Sequence, residues 1–282
     1  MSTQNSGRLY VVATPIGNLA DITLRALTVL SSVDVIAAED TRTTRRLLVH
    51  HGVEAKLVSY TEHNSDSRTP ELLGRMKEGE SVALVSEAGT PTLFDPGLRL
   101  TRACIDQGIP VEPVPGASAL LAALVVSGLP IESFAFEGFL PRRQGERRRR
   151  LESLAADVRT LVFFESPHRV EASVADMLLS LGDRRCALCR ELTKVHEEVR
   201  RGLLSEVLES LRLDPARGEI VVIVSGAAPA EPDLESAAAS ALEMHRSGTS
   251  LSDAARQTSE RTGVPRRALY HRVLRLRDED AQ

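Results

Sequence analysis

The feature that most constrains this chain is an alternation through its first 130 residues: short, mainly apolar runs, each followed by a stretch of helical periodicity. Leu9–Ala13 precedes Ile22–Ser31, Val33–Ala38 precedes Thr41–His51, and Leu57–Tyr60 precedes Arg68–Lys77. Val82–Val85 then precedes Pro96–Gln107, and Val111–Val114 precedes Ala117–Ser127. A strand apolar at every position must be covered on both faces, and strands spaced by helices build a mainly parallel sheet. Gly52, Gly79, Gly108 and Gly128 each fall just past a helical pattern, where a left-handed C-cap favours glycine. The pattern predicts a doubly wound α/β lobe over residues 8–130.

A second set of elements is spaced more tightly. Apolar runs at Ser133–Phe139, Thr160–Phe164, Cys186–Arg190 and Glu219–Ser225 are joined by helical patterns near Pro167–Ser180 and Ser205–Leu213. The stretch Glu198–Leu204 has no helical stripe, so hairpins and a mixed sheet are expected in a second α/β lobe over residues 131–226. Ala227–Asp233, rich in proline and small residues, reads as a linker. Three helices are expected over 234–282: Leu234–Arg246, then Ser252–Arg261 with Ser252 as N-cap, then Pro265–Arg277 entered through Gly263 and Pro265.

Composition sets the class. With 42% hydrophobic and 26% charged residues the chain is a globular protein and not a disordered one. No apolar run approaches the roughly 18 residues of a membrane span, and Met1–Gly7 lacks a signal pattern, so a cytoplasmic location is expected. Cys104, Cys186 and Cys189 are too few and odd in number for a disulfide framework. Cys186-Ala-Leu-Cys189 has no second pair, and His50-His51 and Glu197-Glu198 lack ligand spacing; buried structural thiols and no metal are expected. The net charge of −4 hides two basic clusters, six arginines in Pro141–Arg150 and six in Arg261–Arg277. Such clusters on an acidic chain suit a polyanion, although each could equally be a solvated helix face or loop.

Three glycine-containing loops follow predicted strand ends: Thr14-Pro-Ile-Gly-Asn-Leu19, Ser86-Glu-Ala-Gly-Thr-Pro91 and Pro115-Gly-Ala-Ser118. In an open α/β sheet ligands sit beyond the carboxyl ends of the strands, so the three loops are expected to face one crevice, where glycine admits close backbone approach. The phosphate-loop and dinucleotide fingerprints are both absent.

These loops belong to a longer series of ordered motifs. Thr14–Thr23, Ala38-Glu-Asp-Thr-Arg42, Val85–Pro91 running into Asp95-Pro-Gly97, and Pro115–Ala119 lie in the first lobe. Glu137-Gly-Phe-Leu-Pro141, Phe164-Glu-Ser-Pro-His-Arg169 and Arg190-Glu-Leu-Thr-Lys194 lie in the second. Together, over residues 8–225, they resemble the ribosomal RNA small subunit methyltransferase I family of the tetrapyrrole-methylase superfamily. The resemblance implies a two-lobed fold, S-adenosylmethionine held in the cleft, a homodimer, and 2′-O-methylation of a cytidine in the decoding region of 16S ribosomal RNA. By matching motif it implies a cofactor pocket of Pro15, Ile16, Gly17 and Asn18, then Ser86, Glu87, Ala88, Gly89 and Thr90, then Ser118 and Ala119, closed by Leu192, Gly218 and Glu219. One departure is Glu87, where the family pattern has aspartate.

Methyl transfer to a hydroxyl demands alignment first and a base second. The candidates for the base are Glu191, Lys194, Glu165, His63 and Asn64, each of which also has a structural reading as a loop polar group, a helix-start partner or a phosphate contact. Arg142, Arg143, Arg147, Arg148, Arg266, Arg267 and Arg272 are expected to meet RNA, the last three from a helix-turn-helix-like appendage that could instead be a capping bundle. A tetrapyrrole methylase and a ligand-sensing nucleic-acid regulator are the rival readings; the first has no need of the arginine clusters or the helical appendage, and methyl transfer to RNA would dismiss the second.

Overall fold

The computed structural model describes residues 7–92, 97–228 and 233–280. The chain divides into two compact units, Met1–Gly226 and Ala227–Gln282. The expected motif residues Asp95 and Pro96, and most of the expected linker, lie outside the described residues.

The first unit opens with a parallel five-stranded sheet built from β1 (Leu9–Val12), β2 (Val35–Ala38), β3 (Leu57–Ser59), β4 (Val82–Val85) and β5 (Val111–Val114), in the order β3-β2-β4-β1-β5. Strand alternation divides each apolar run between two cores. Val35, Ala37, Val82 and Leu84 face the core under α3 (Ser65–Lys77) and α4 (Gly97–Asp106). Ile36, Ala38, Ala83 and Val85 face the core under α1 (Leu24–Ser32) and α2 (Thr41–His50). This two-sided burial is why the central strands β2 and β4 are apolar without interruption. The four expected cap glycines have φ of +67° at Gly52, +98° at Gly79, +68° at Gly108 and +75° at Gly128.

α5 (Ala119–Ser127) leads to a mixed sheet of β6 (Phe134–Phe139), β7 (Thr160–Glu165), β8 (Arg185–Arg190), β9 (Glu198–Leu203) and β10 (Ile220–Val224). Its order is β6-β7-β10-β8-β9, parallel only between β6 and β7. One face is covered by α6 (Gln144–Ser153), α7 (Val170–Leu181) and α8 (Leu204–Leu213). The other receives α5, whose Leu120, Ala123 and Leu124 join Val162, Ala187, Val221 and Ile223 in one core that welds the two sheets. Cys186 and Cys189 fall in opposite cores of this sheet, and burial pushes their thiols up to about 12 and about 11. They are inert apolar fillers.

The second unit contains α9 (Leu234–Arg246), α10 (Leu251–Thr262) and α11 (Arg266–Asp280), packed on small residues such as Ala238, Ala241, Ala254 and Ala255. Gly263 caps α10 with φ +73°. The N-cap is Ser250 and not the expected Ser252: the Ser250 hydroxyl accepts the Asp253 N–H at 3.1 Å. Ser252 instead accepts the Arg266 guanidinium at 2.9 Å.

Candidate functional site

The sheet order makes β4, β1 and β5 neighbours, so the loops that follow them emerge side by side. Backbone pairing then ties them together. Thr14 N–H donates to Gly89 O at 2.9 Å and Gly89 N–H returns to Thr14 O at 3.1 Å, joining the first loop to the second. The Thr90 hydroxyl donates to Ala117 O at 3.2 Å, joining the second to the third. Two glycines are required by space or dihedral: Gly89 sits at φ +78°, and a Cβ on Gly116 would lie 3.0 Å from the Ala13 side chain.

The second sheet closes this arrangement through the segment after β8. Glu191 and Thr193 hold φ of +49° and +67°, unfavourable for side-chain-bearing residues and most of all for a β-branched one. The turn is held by the Glu197 carboxylate, which accepts Thr193 N–H at 2.6 Å, and by Asn18, whose N–H donates to the Thr193 hydroxyl at 3.1 Å. Lys194 lies over Gly17, where a Cβ would meet its Cε at 2.9 Å. Its ammonium donates to Glu191 Oε1 at 2.9 Å and reaches Glu219 Oε2 at 3.3 Å. Glu191 Oε1 also accepts Glu219 N–H at 3.0 Å, and its carboxylate fills the space a side chain on Gly218 would need, at a φ of +80° that itself favours glycine.

Around these groups runs a cleft of about 810 Å³, in the range that holds a cofactor. Every expected cofactor residue lines it except Asn18, whose side chain accepts Ala20 N–H at 3.1 Å and starts a short helical turn. Of the expected catalytic residues, Lys194 and Glu165 line it, and Glu191 supports it through Lys194 and Gly218. His63 is exposed on the β3–α3 turn, outside the lining. Asn64 is bound into that turn, accepting Thr61 N–H at 2.8 Å and donating to Ser59 O at 3.2 Å, and it too is outside the lining. The sequence reading missed the wall contributed by α2, with Thr43, Arg46 and Leu47, and the aromatic wall of Phe139 and Phe164.

The electrostatics narrow the choice of base. The Glu219 N–H is the main influence holding the Glu191 carboxyl below its ordinary value; burial opposes it and Lys194 assists. Burial pulls the Lys194 ammonium down, but Glu191 and Glu219 overcome this and leave it above its ordinary value. The pairing with Glu191 and Glu219 favours the ammonium form of Lys194 in this arrangement. Glu165 is buried with both oxygens engaged, one by the Ser173 hydroxyl at 2.6 Å and one by Ser166 N–H at 2.9 Å.

The basic clusters resolve unequally. Arg142 and Arg143 are exposed after β6, Arg143 pairing loosely with Glu146 at 3.4 Å. Arg147, expected on the RNA, is instead only 5% exposed and donates to buried Asp176 at 2.7 Å; Arg148 makes a second bond to Asp176, also at 2.7 Å, from a half-exposed position. In the second unit Arg266 and Arg267 are exposed beside Ser252 and Tyr270, whereas Arg272 spends its guanidinium on Glu235 at 2.8 Å, clamping α11 to α9. Among the described residues no group of three or more His, Cys, Asp or Glu is arranged to hold a metal ion, and no helix is long and apolar enough to cross a membrane.

Comparison with known proteins accords with this geometry. Residues 8–208 match the model for Tetrapyrrole (Corrin/Porphyrin) Methylases, and residues 230–277 match the RsmI C-terminal HTH domain. A ribosomal RNA small subunit methyltransferase I from Micromonospora olivasterospora is 47% identical over 95% of this chain and 87% of its own. The chain belongs to the ribosomal RNA small subunit methyltransferase I family. Another member of the family, from Thermotoga maritima, is 49% identical over 220 residues, which are 78% of this chain but 99% of that protein. A whole member can thus be about as long as the two-sheet unit alone. The fold extends further: a cobalt precorrin-4 methyltransferase structure superposes with a TM-score of 0.61 at 19% identity, over 80% of this chain and 98% of that one. The residues of the cleft fit the adenosyl sulfonium such methylases use. The exposed carboxylates of Glu87 and Glu219 suit its hydroxyls and positive charge, and Ile16, Leu192 and Val221 give the cleft an apolar lining.

Proposed function

We propose that this chain transfers a methyl group from S-adenosylmethionine to the ribose 2′-hydroxyl of a cytidine in the decoding region of 16S ribosomal RNA within the small subunit, acting in the cytoplasm as a homodimer. The observation that carries the reading is the tying of three strand-end loops and the Glu191–Lys194 turn around one cleft. Bound there, S-adenosylmethionine supplies a methyl group already activated on sulfur.

The residues then supply alignment, which is the largest demand of an in-line displacement. Paired backbone at Thr14 and Gly89 fixes one wall, and the strained Glu191–Thr193 turn, bonded back to Asn18, fixes the opposite wall against it. Glu87 reaches from the second loop in place of the family's aspartate, its N–H held by Glu39 at 3.1 Å so that the loop keeps its place despite the longer side chain. Exposed Arg142 and Arg143 on the first unit and Arg266 and Arg267 on the second supply phosphate contacts, with half-exposed Arg148 held on Asp176 beside the first pair. Support for a homodimer comes from α5, which is apolar all round: it buries Leu120 and Leu124 but leaves Leu121 and Val125 55% and 70% exposed.

The test is incubation with methyl-labelled S-adenosylmethionine and either small ribosomal subunits or free RNA, followed by alkaline hydrolysis. Label is expected in an alkali-resistant dinucleotide beginning with cytidine, because hydrolysis needs a free 2′-hydroxyl. Label on a base, or none on RNA, overturns the reading.

A further inference from the structure

The cleft is larger than its donor loops. Sheet order places β2 on the far side of β4 from β1 and β5, so α2, which follows β2, adds a wall to the cleft beside the second loop. On that wall Arg46 is exposed, and among the described residues it has no ion-pair or hydrogen-bond partner, unlike its helix neighbour Arg42, which pairs with Asp40 at 3.2 Å.

The second sheet contributes Phe139, 53% exposed although it lines the cleft. Its aim depends on a bulge. Side chains three apart on a strand point to opposite faces, yet Phe136 and Phe139 both contact the Phe164 ring, at 4.8 Å and 5.7 Å between centroids. The β6–β7 register shifts between Phe136 and Gly138, and Gly138 takes φ +65°; the one extra residue turns Phe139 back onto the cleft face. Phe139 thus combines an edge contact to Phe164 with a ring that stays half-exposed on the cleft wall.

A flat apolar ring and an uncommitted guanidinium on two walls of one cleft match the two parts of a nucleotide, a base that stacks and a phosphate that pairs. The geometry points to an acceptor subsite in which Phe139 stacks the base of an unpaired RNA nucleotide and Arg46 holds an adjoining phosphate. This rests on the RNA methyltransferase reading and deepens it, since the acceptor must leave any helix to enter.

The test uses the full chain and its Phe139→Ala, Phe139→Tyr and Arg46→Gln variants, with S-adenosylhomocysteine affinity measured by calorimetry and methyl transfer to small-subunit RNA measured in parallel. Phe139→Ala is expected to raise the KM for RNA about tenfold, Phe139→Tyr to restore it, and Arg46→Gln to reduce the salt slope of RNA binding by about 0.7. All three are expected to bind S-adenosylhomocysteine as the parent does, which also reports an intact fold. A matching loss of S-adenosylhomocysteine affinity would assign Phe139 to the donor pocket and overturn the subsite, as would variants indistinguishable from the parent on RNA. An unaltered chain that methylates no RNA would refute the underlying reading instead.

Discussion

Lys194 is the residue on which the two lobes of the cleft meet. It rests on Gly17 of the first loop and pairs with Glu191 and Glu219 of the second sheet. Because Glu191 is held below the ordinary carboxylate value of 4.5 and Lys194 above the ordinary ammonium value of 10.5, both stay charged across the whole neutral range. The signs follow. The Glu191 contribution is complete above 4.5 and is lost as pH falls through its depressed value; the Lys194 contribution is complete below 10.5 and is lost as pH rises through its elevated value. S-adenosylhomocysteine affinity is therefore expected to be flat from about pH 6 to pH 9, and Lys194→Met to weaken it about tenfold by freeing Glu191 from its clamp. Calorimetric titration across that range checks both. A rate that climbs steeply above pH 9 in the parent and loses that limb in the variant would show Lys194 working as a base after all.

At the scale of elements, α6 and α7 are pinned by one buried carboxylate. Asp176, 1% exposed, accepts from Arg147, Arg148 and Gln144, the last at 3.3 Å. Burial alone would raise its carboxyl, and the bonds from Arg148 and Arg147 reverse that, leaving it below 3.8. Its stabilising effect is present above that pH and lost below it. Asp176→Asn strands the Arg147 guanidinium in the interior and is expected to cost about 3–5 kcal/mol in denaturant unfolding, where a surface pair would cost under about 1 kcal/mol. On the opposite side of the same unit, Val125→Glu in α5 is expected to turn a dimer into a monomer in sedimentation while donor affinity holds; a parent sedimenting as a monomer at micromolar concentration would remove the dimer. Both features also mark what the sequence could reveal. The alternation of apolar runs exposed the parallel sheet, and glycine and proline at strand ends exposed the loops, because those signals are local. Arg147 read as a surface charge because its partner lies 29 residues away on another helix. The aim of Phe139 depends on a one-residue register shift, and the α2 wall on which strands neighbour each other; neither is written in any short window.

At the scale of the molecule, the division at Gly226 separates chemistry from a small helical unit with its own core of alanines, valines and leucines. All residues of the cleft belong to the first unit, and a whole relative of about that unit's length carries the methyltransferase name. A chain ending at Gly226 should accordingly fold and bind S-adenosylhomocysteine with unchanged affinity. What it should lose is grip on RNA. Arg266 and Arg267 are exposed on the second unit, and two phosphate contacts to single-stranded RNA contribute about 1.4 to the slope of log affinity against log salt. The truncated chain is expected to bind small-subunit RNA more weakly at 50 mM salt, by an amount that shrinks as salt rises, with the slope reduced by about that value. Filter binding over 50–300 mM salt gives both numbers. If the slope and the affinity match those of the full chain, the helical unit is not an RNA anchor, and its arginines are the solvated face that such runs so often are.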